Sequence, residues 1–336
     1  MADTNSANDA LRNSASCDSG DSDASQYIKF CIQLAYILPF GYLYSSFLIT
    51  IIRKKKDREL FGDSFFTLHL VDGIVSLLFL LLDISFYRLT SYIRPICEFF
   101  LPLLKDPAYY LTPYWSVYVY VQLAKMLSTL VMNINRYTSV SYPIQHKSIW
   151  MQHCFKSVLA IFLIPIIFTW PVAIARTSFL PLNGQSVIVY EHYFSWARTT
   201  YGRLLISTVT LVFIIFSSIV TSTKLRKMGK HMKHVEFSMT VATLFTSAGF
   251  IVLLIVQFFY LNTKLDTLTT WTWTRILIVG GQQAGNDFYM LSGPVVLLIL
   301  DKNIRKSTFQ WKRGKIDSQT NAKVSVQSAQ LVTITN

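Results

Sequence analysis

Charge is scarce in this chain of 336 residues: 15% of them are charged, against about 25% in a soluble globular domain. Cysteine is scarcer still, with Cys17, Cys31, Cys97 and Cys154 only. They form no CxxC pair and no Cys/His group at metal spacing, so no metal site and no cofactor is expected. The six histidines are scattered, and the His231/His234 pair falls in a basic stretch that reads as a solvated loop. His69 is the one histidine clearly inside an apolar block, too few for a zinc hydrolase working in the membrane, so the chain is not expected to be an enzyme. The first 26 residues lack a basic segment leading into an apolar core, so no cleavable signal peptide is expected. They also lack an Asn-X-Ser/Thr acceptor for N-glycosylation. Being polar and rich in small residues, they read as a disordered tail.

What the chain has in quantity is hydrocarbon. Hydrophobic residues make up 52% and gather in seven blocks, at about 27–52, 64–87, 112–135, 155–175, 203–223, 236–261 and 271–300. Each is near the roughly 20 residues that cross a bilayer as a helix. They are too long and too continuously apolar for strands of a membrane barrel. The expectation is an all-α membrane protein, a bundle of seven transmembrane helices over 27–300 with tails at 1–26 and 301–336. Basic residues orient it. The stretches after spans 1, 3, 5 and 7 hold twenty Lys and Arg, including Arg53–Lys56 and Lys302–Lys306, against nine on the other side, with Arg88 and Arg203 among the nine. The richer side is cytoplasmic, which puts the N-terminus outside and the C-terminus inside. The net charge of +13 thus reflects membrane topology, and no nucleic-acid partner is expected. Beyond span 7, Ile304, Thr308 and Trp311 lie three or four apart among basic residues, the pattern of a short helix on the inner leaflet.

Ionisable residues inside spans are costly and are functional candidates by default. Asp72 and Asp83 fall in span 2, Lys125 in span 3 and Asp287 in span 7. At about 1.5 Å per residue, Asp72 lies about 12–14 Å, Lys125 about 15–17 Å and Asp287 about 20 Å from the inner ends of their spans. The three are expected to meet near mid-bilayer as a polar network, with Lys125 paired to Asp72 or Asp287. Asp83, near the outer end, is a candidate for lining a vestibule. Trp115, Tyr118 and Gln122 are further candidates for a small-molecule pocket between helices; Trp and Tyr also gather at membrane interfaces whatever the function.

At the inner end of span 3 stands Asn135-Arg136-Tyr137, followed by Val140, Pro143 and Trp150. The triplet resembles the Asp-Arg-Tyr signature of rhodopsin-like G-protein-coupled receptors. The run from Asn133 to Trp150, with Pro95-Ile-Cys97 and the span-7 exit Gly293-Pro294 through Asp301-Lys-Asn-Ile-Arg-Lys306, is similar to the nematode serpentine chemoreceptors of class gamma, the Srg family. The resemblance implies a chemosensory receptor in the plasma or ciliary membrane of sensory neurons. It would take a small molecule from outside and couple to a heterotrimeric G protein inside. Asn135, Arg136, Tyr137 and Pro143 would then form the coupling region, without the local carboxylate that the Asp-Arg-Tyr form supplies. Pro294 would kink span 7, with no later tyrosine for the rhodopsin-like switch. The loop at 176–202 has no cysteine, so the usual disulfide from the top of span 3 cannot form. Cys97 has Cys17 or Cys31 as alternative partners, or the thiols stay free.

A seven-helix transporter is the competing class. Such folds show internal repeats and broken helices; spans 1–3 and 5–7 show no clear similarity, and Gly280-Gly281 and Gly285 are the one broken-helix hint. A retinal-based light sensor needs a pocket lysine amine, and span 7 contains none between 271 and 301.

Overall fold

The computed structural model describes residues 16–18, 22–54, 64–182, 185–191, 193, 199–225, 245–259 and 281–300. Helix α1 is Asp23–Lys54. Helix α2, Ser64–Leu82, continues through a π-helical turn at Asp83–Arg88 into the short α3, Leu89–Tyr92. A surface helix, α4, covers Arg94–Leu104. Helices α5 (Thr112–Ser141) and α6 (Pro143–Ala173) follow, then the hairpin β1 (Thr177–Leu182) and β2 (Gln185–Tyr190). Helix α7 is Thr199–Leu225, α8 is Phe245–Phe259 and α9 is Gly281–Leu300. Five of these rods are long and apolar enough to cross a bilayer: α1, α2 through α3, α5, α6 and α7.

The helices overrun the apolar blocks because hydropathy marks only the hydrocarbon-embedded turns, while hydrogen bonding carries the helix on through the interface. The second span, expected to stop at residue 87, runs on to Tyr92. The fourth, expected from 155, starts at Pro143, so Trp150 sits in a helix and not in a loop. Proline opens α4, α5 and α6 in their first turn, where its missing N–H removes no helical bond and its φ is already suitable. Pro294 falls inside α9. The tail expected to reach residue 26 gives way to helix at Asp23, and Cys17 is disulfide-bonded to Cys97 of α4. The amphipathic stretch expected after residue 300 and the His231/His234 loop lie outside the described residues.

One departure concerns class. The expectation was all-α, but the outer loop after α6 forms an antiparallel pair, from Thr177 opposite Tyr190 to Leu182 opposite Gln185. The signal was present as Asn183-Gly184 between two β-prone runs, the strongest short-range hairpin pattern; a membrane-span reading treats it as mere loop. Phe179 and Ile188 of the hairpin pack with Cys97 and Leu104 of α4 and with Leu111. This outer cap also touches Phe86, Tyr114 and Trp115, and Thr112 at the head of α5 bonds the Ala175 carbonyl at 2.8 Å.

The main core is built around α5, the most deeply buried of the five spans. It joins Phe47 and Ile51 of α1, Phe79 of α2, Leu123 and Met126 of α5, Ile161 of α6, and Phe250 and Tyr289 of α8 and α9. Two glycines permit close approach. A Cβ on Gly73 would overlap the Leu48 methyls of α1, and one on Gly249 would lie 3.0 Å from the Tyr289 backbone nitrogen of α9.

Candidate functional site

Polar side chains form three clusters at successive depths along α5, level with Tyr118, with Lys125 and with Asn135. The outer cluster centres on Arg88, which is 0% exposed. Its Nε donates to Asp83 Oδ2 and its Nη2 to Asp287 Oδ1. Its Nη1 donates to Asp287 Oδ2 and to Gln33 Oε1, each at 3.0 Å. Asp287 is therefore held bidentately, the geometry that suits a planar guanidinium. Tyr36 donates to the same carboxylate, and Tyr118 donates to Asp83 Oδ1 at 2.9 Å. Gln33, Tyr92 and Gln283 close the ring, with Tyr92 donating to Gln283 Oε1 at 2.6 Å. The π-helical turn makes the Asp83–Arg88 pair possible. Residues five apart on an α-helix point about 140° away from each other, whereas π geometry links i with i+5.

These contacts correct two expectations. Asp83, expected at an open vestibule, is buried against Arg88 and Tyr118. Asp287 does not meet Lys125; it pairs with Arg88. Depth along separate helices does not fix rotation about their axes, and Arg88 was counted among the outer-loop charges. Arg203, counted with it, is likewise buried, in α7 beside the Trp115 ring at 5.9 Å. Without these two the basic bias is stronger still.

The middle cluster is the Lys125–Asp72 pair. Lys125 Nζ donates to Asp72 Oδ2 at 2.6 Å, and both side chains are buried. Tyr44 of α1 donates to the same oxygen at 3.1 Å, and Ser128 to Oδ1 at 2.5 Å. The ammonium also lies 5.2 Å from the centre of the Tyr289 ring of α9, whose hydroxyl bonds the Lys125 carbonyl oxygen at 3.1 Å and pairs with Thr129 at 2.7 Å. Four helices thus meet at one ion pair.

At the end of α5 expected to be the inner one, Asn135 Nδ2 donates to Ser64 Oγ at the head of α2 at 2.9 Å. Arg136 is buried beside it. Tyr137 faces Phe213 and Phe216 of α7, with ring centres 6.2 and 5.7 Å away. Thr138 accepts from Trp150 Nε1 at 2.7 Å, and Pro143 opens α6 just beyond Tyr142. The end of α5 therefore touches α2, α6 and α7 at once.

Trp115, Tyr118, Gln122 and Lys125 recur at three- and four-residue intervals, which places them on one face of α5. Thr129 and Arg136 extend the same face inward at the seven-residue step from Gln122. Trp115 stacks on Tyr118, with ring centres 5.4 Å apart. The pocket candidates Asp83, Trp115 and Tyr118 are thus contiguous, and Gln122 follows one turn deeper. Trp115 Nε1 and Gln122 Oε1 are buried with no hydrogen-bond partner among the described residues. Such atoms carry a desolvation cost of about 1–3 kcal/mol each. Sequence reasoning missed Gln33, Tyr36, Tyr44, Arg88, Tyr92 and Tyr289 as network members. Only Arg88 left a trace, lying five residues from an intramembrane aspartate. Among the described residues no cluster of His, Cys, Asp and Glu is placed to hold a metal ion.

A bundle of long apolar helices crossed by buried ion pairs is a multi-pass membrane protein. The family model of the Srg family chemoreceptors matches residues 30–308. The chain is 28% identical to serpentine receptor class gamma-14 of Caenorhabditis elegans over 323 residues, covering 94% of this chain and 93% of that one. It is 26% identical to class gamma-11 of the same organism over 298 residues, covering 88% and 86%. Class gamma-16 matches at 28% over 239 residues, covering 71% and 72%. The chain belongs to the Srg family of chemoreceptors.

Proposed function

We propose that the chain is a seven-helix receptor that binds a small molecule reached from the outer side and signals through a heterotrimeric G protein at its cytoplasmic face. Residues 27–300 form the bundle, the tail 1–26 lies outside and the tail 301–336 inside. The observation that carries this reading is the polar face of α5. It runs from the unpartnered Trp115 and Gln122 atoms, past the Lys125–Asp72 junction of four helices, to Arg136 beside the α2, α6 and α7 contacts. Ligand bound on the outer part of this face and a partner engaging its inner end would share one rod. A ligand works by preferring one arrangement of that rod and its neighbours over another. In this reading the Lys125–Asp72 pair is rearranged when the inner end opens, and Asn135, Arg136, Tyr137 and Pro143 form the coupling region.

The test is nucleotide exchange on purified G proteins by the receptor in nanodiscs, screened against pools of small secreted metabolites, with Arg136→Ala alongside. Exchange stimulated by one fraction, lost in the variant although ligand still binds, is the expected result. Uptake of a labelled solute into proteoliposomes, with no exchange from any G protein, would replace the receptor by a transporter.

A further inference from the structure

A cleft of about 380 Å³ runs along α9 beside Tyr36 and Phe40 of α1 and Phe245 of α8. This volume falls within the range of small-molecule sites. Phe40, Phe245 and Phe288 of its wall are exposed, and exposed aromatic side chains on apolar helices suit contact with lipid. The route from the aqueous side is different in kind. There the hairpin buries Phe179 against Phe86, and the Cys17–Cys97 bond ties the tail across α4.

The side chains of the cleft wall are hydrocarbon apart from Tyr36, Asp287 and Ser292. Ser292 is 8% exposed, and its Oγ has no hydrogen-bond partner among the described residues. A helical serine can satisfy itself on the preceding turn, and in lipid there is no water to replace that bond. Asp287 accepts one bond from Tyr36 and two from Arg88. A carboxylate offers about four acceptor sites, so about one is left. The Tyr36 oxygen, having donated its proton, can also accept. Two carboxyl groups, Asp83 and Asp287, surround the single Arg88 guanidinium, so acidic groups outnumber basic ones in the cluster behind the cleft.

We propose that this cleft binds a bilayer-borne alkylamine: one ammonium head and one apolar chain. An ammonium has three donors; Asp287 has about one acceptor site left, and the Tyr36 oxygen bonded to it supplies a second acceptor beside it. Two carboxyl groups to one guanidinium favour a cation over a further carboxylate. The chain lies along Leu291 and Val295 toward Val296, about 14 Å from Asp287 at the helical rise. The site is separate from the Trp115–Gln122 face and does not depend on signalling.

The test uses the full chain in phosphatidylcholine nanodiscs, with decylamine, decanol and decanoic acid as probes and bound copies counted by native mass spectrometry. Decylamine is expected to saturate at one copy, at least about tenfold tighter than the other two. Ala284→Trp and Val296→Trp fill the cleft from wall positions that no ion pair uses. Each should weaken decylamine at least about tenfold and leave the unliganded unfolding midpoint unchanged. Equal binding of the three probes, uptake without saturation, or wild-type binding in both tryptophan variants would overturn the proposal.

Discussion

Lys125→Met should be among the most damaging single changes in the bundle, and a second mutation should repair it. The methionine keeps the length of the aliphatic stem and removes the ammonium. Asp72 then retains only Ser128 and Tyr44 as donors, at 2.5 and 3.1 Å, in a place where its carboxylate is 1% exposed. Breaking a buried pair by removing one partner costs about 3–5 kcal/mol. Asp72→Asn leaves a buried ammonium instead, with the Tyr289 ring 5.2 Å away; a desolvated cation–π contact returns up to about 2 kcal/mol, so this loss should be smaller. In the double variant no charge remains; the asparagine oxygen can accept from Ser128 in place of Oδ1, and its amide nitrogen, in place of Oδ2, can donate to the Tyr44 oxygen. It should lie within about 2 kcal/mol of wild type, because replacing both members of a buried pair is often near neutral. The assay is thermal unfolding of the purified receptor followed by tryptophan fluorescence. At roughly 2–4 °C per kcal/mol, Lys125→Met should lower the midpoint by roughly 6–20 °C, and the double variant should recover most of it. Equal midpoints for Lys125→Met and wild type, or a double variant whose loss is the sum of the two single losses, would refute the reasoning.

Three further outcomes follow from the same structure. Arg88→Lys cannot reproduce a guanidinium that bridges Asp83, Asp287 and Gln33 together, so it should lower stability by about 3–6 kcal/mol, two charge-assisted bonds, read as a fall in the unfolding midpoint. Cys97→Ser and Cys17→Ser should each cost about 2–4 kcal/mol by opening a loop with a sequence separation of 80. Cys31→Ser should cost nothing, and alkylation under non-reducing conditions should find Cys31 reactive and Cys17 protected. Gly249→Val should cost about 1–3 kcal/mol through overpacking, since its Cβ would press on the Tyr289 backbone; an unfolding midpoint equal to that of wild type would refute this.

Membrane spans were legible because burial in lipid demands continuous apolar runs, a signal no loop imitates. The motif at the end of α5 could be singled out for a different reason: Asn135, Arg136 and Tyr137 are consecutive, Pro143 follows six residues on, and the family resemblance takes them as a unit. Lys125 and Asp72 were found because charge inside a span has few innocent explanations. Their partner choice was not, since it depends on how α2, α5 and α9 are rotated about their axes. Arg88 was hidden by the same rule that revealed Lys125. It falls just past an apolar block, where hydropathy reads a loop, and only the π-helical turn brings it back under Asp83. The tyrosines and glutamines of the outer cluster carry no sequence signal of their own, because such residues are common at helix ends. The hairpin was readable from Asn183-Gly184 and the flanking β-prone residues, and was passed over because the neighbouring helices dominate the composition.

The central claim is that the Lys125–Asp72 pair lies on the path between an outer ligand and the inner face. The measurement that tests it most directly is ligand affinity and G-protein nucleotide exchange, side by side, on the Lys125→Met, Asp72→Asn double variant in nanodiscs. The account predicts a folded protein that binds ligand within about threefold of wild type, well under 1 kcal/mol, while exchange no longer responds to it. Exchange that responds to ligand as in wild type would contradict it and leave the pair as static packing.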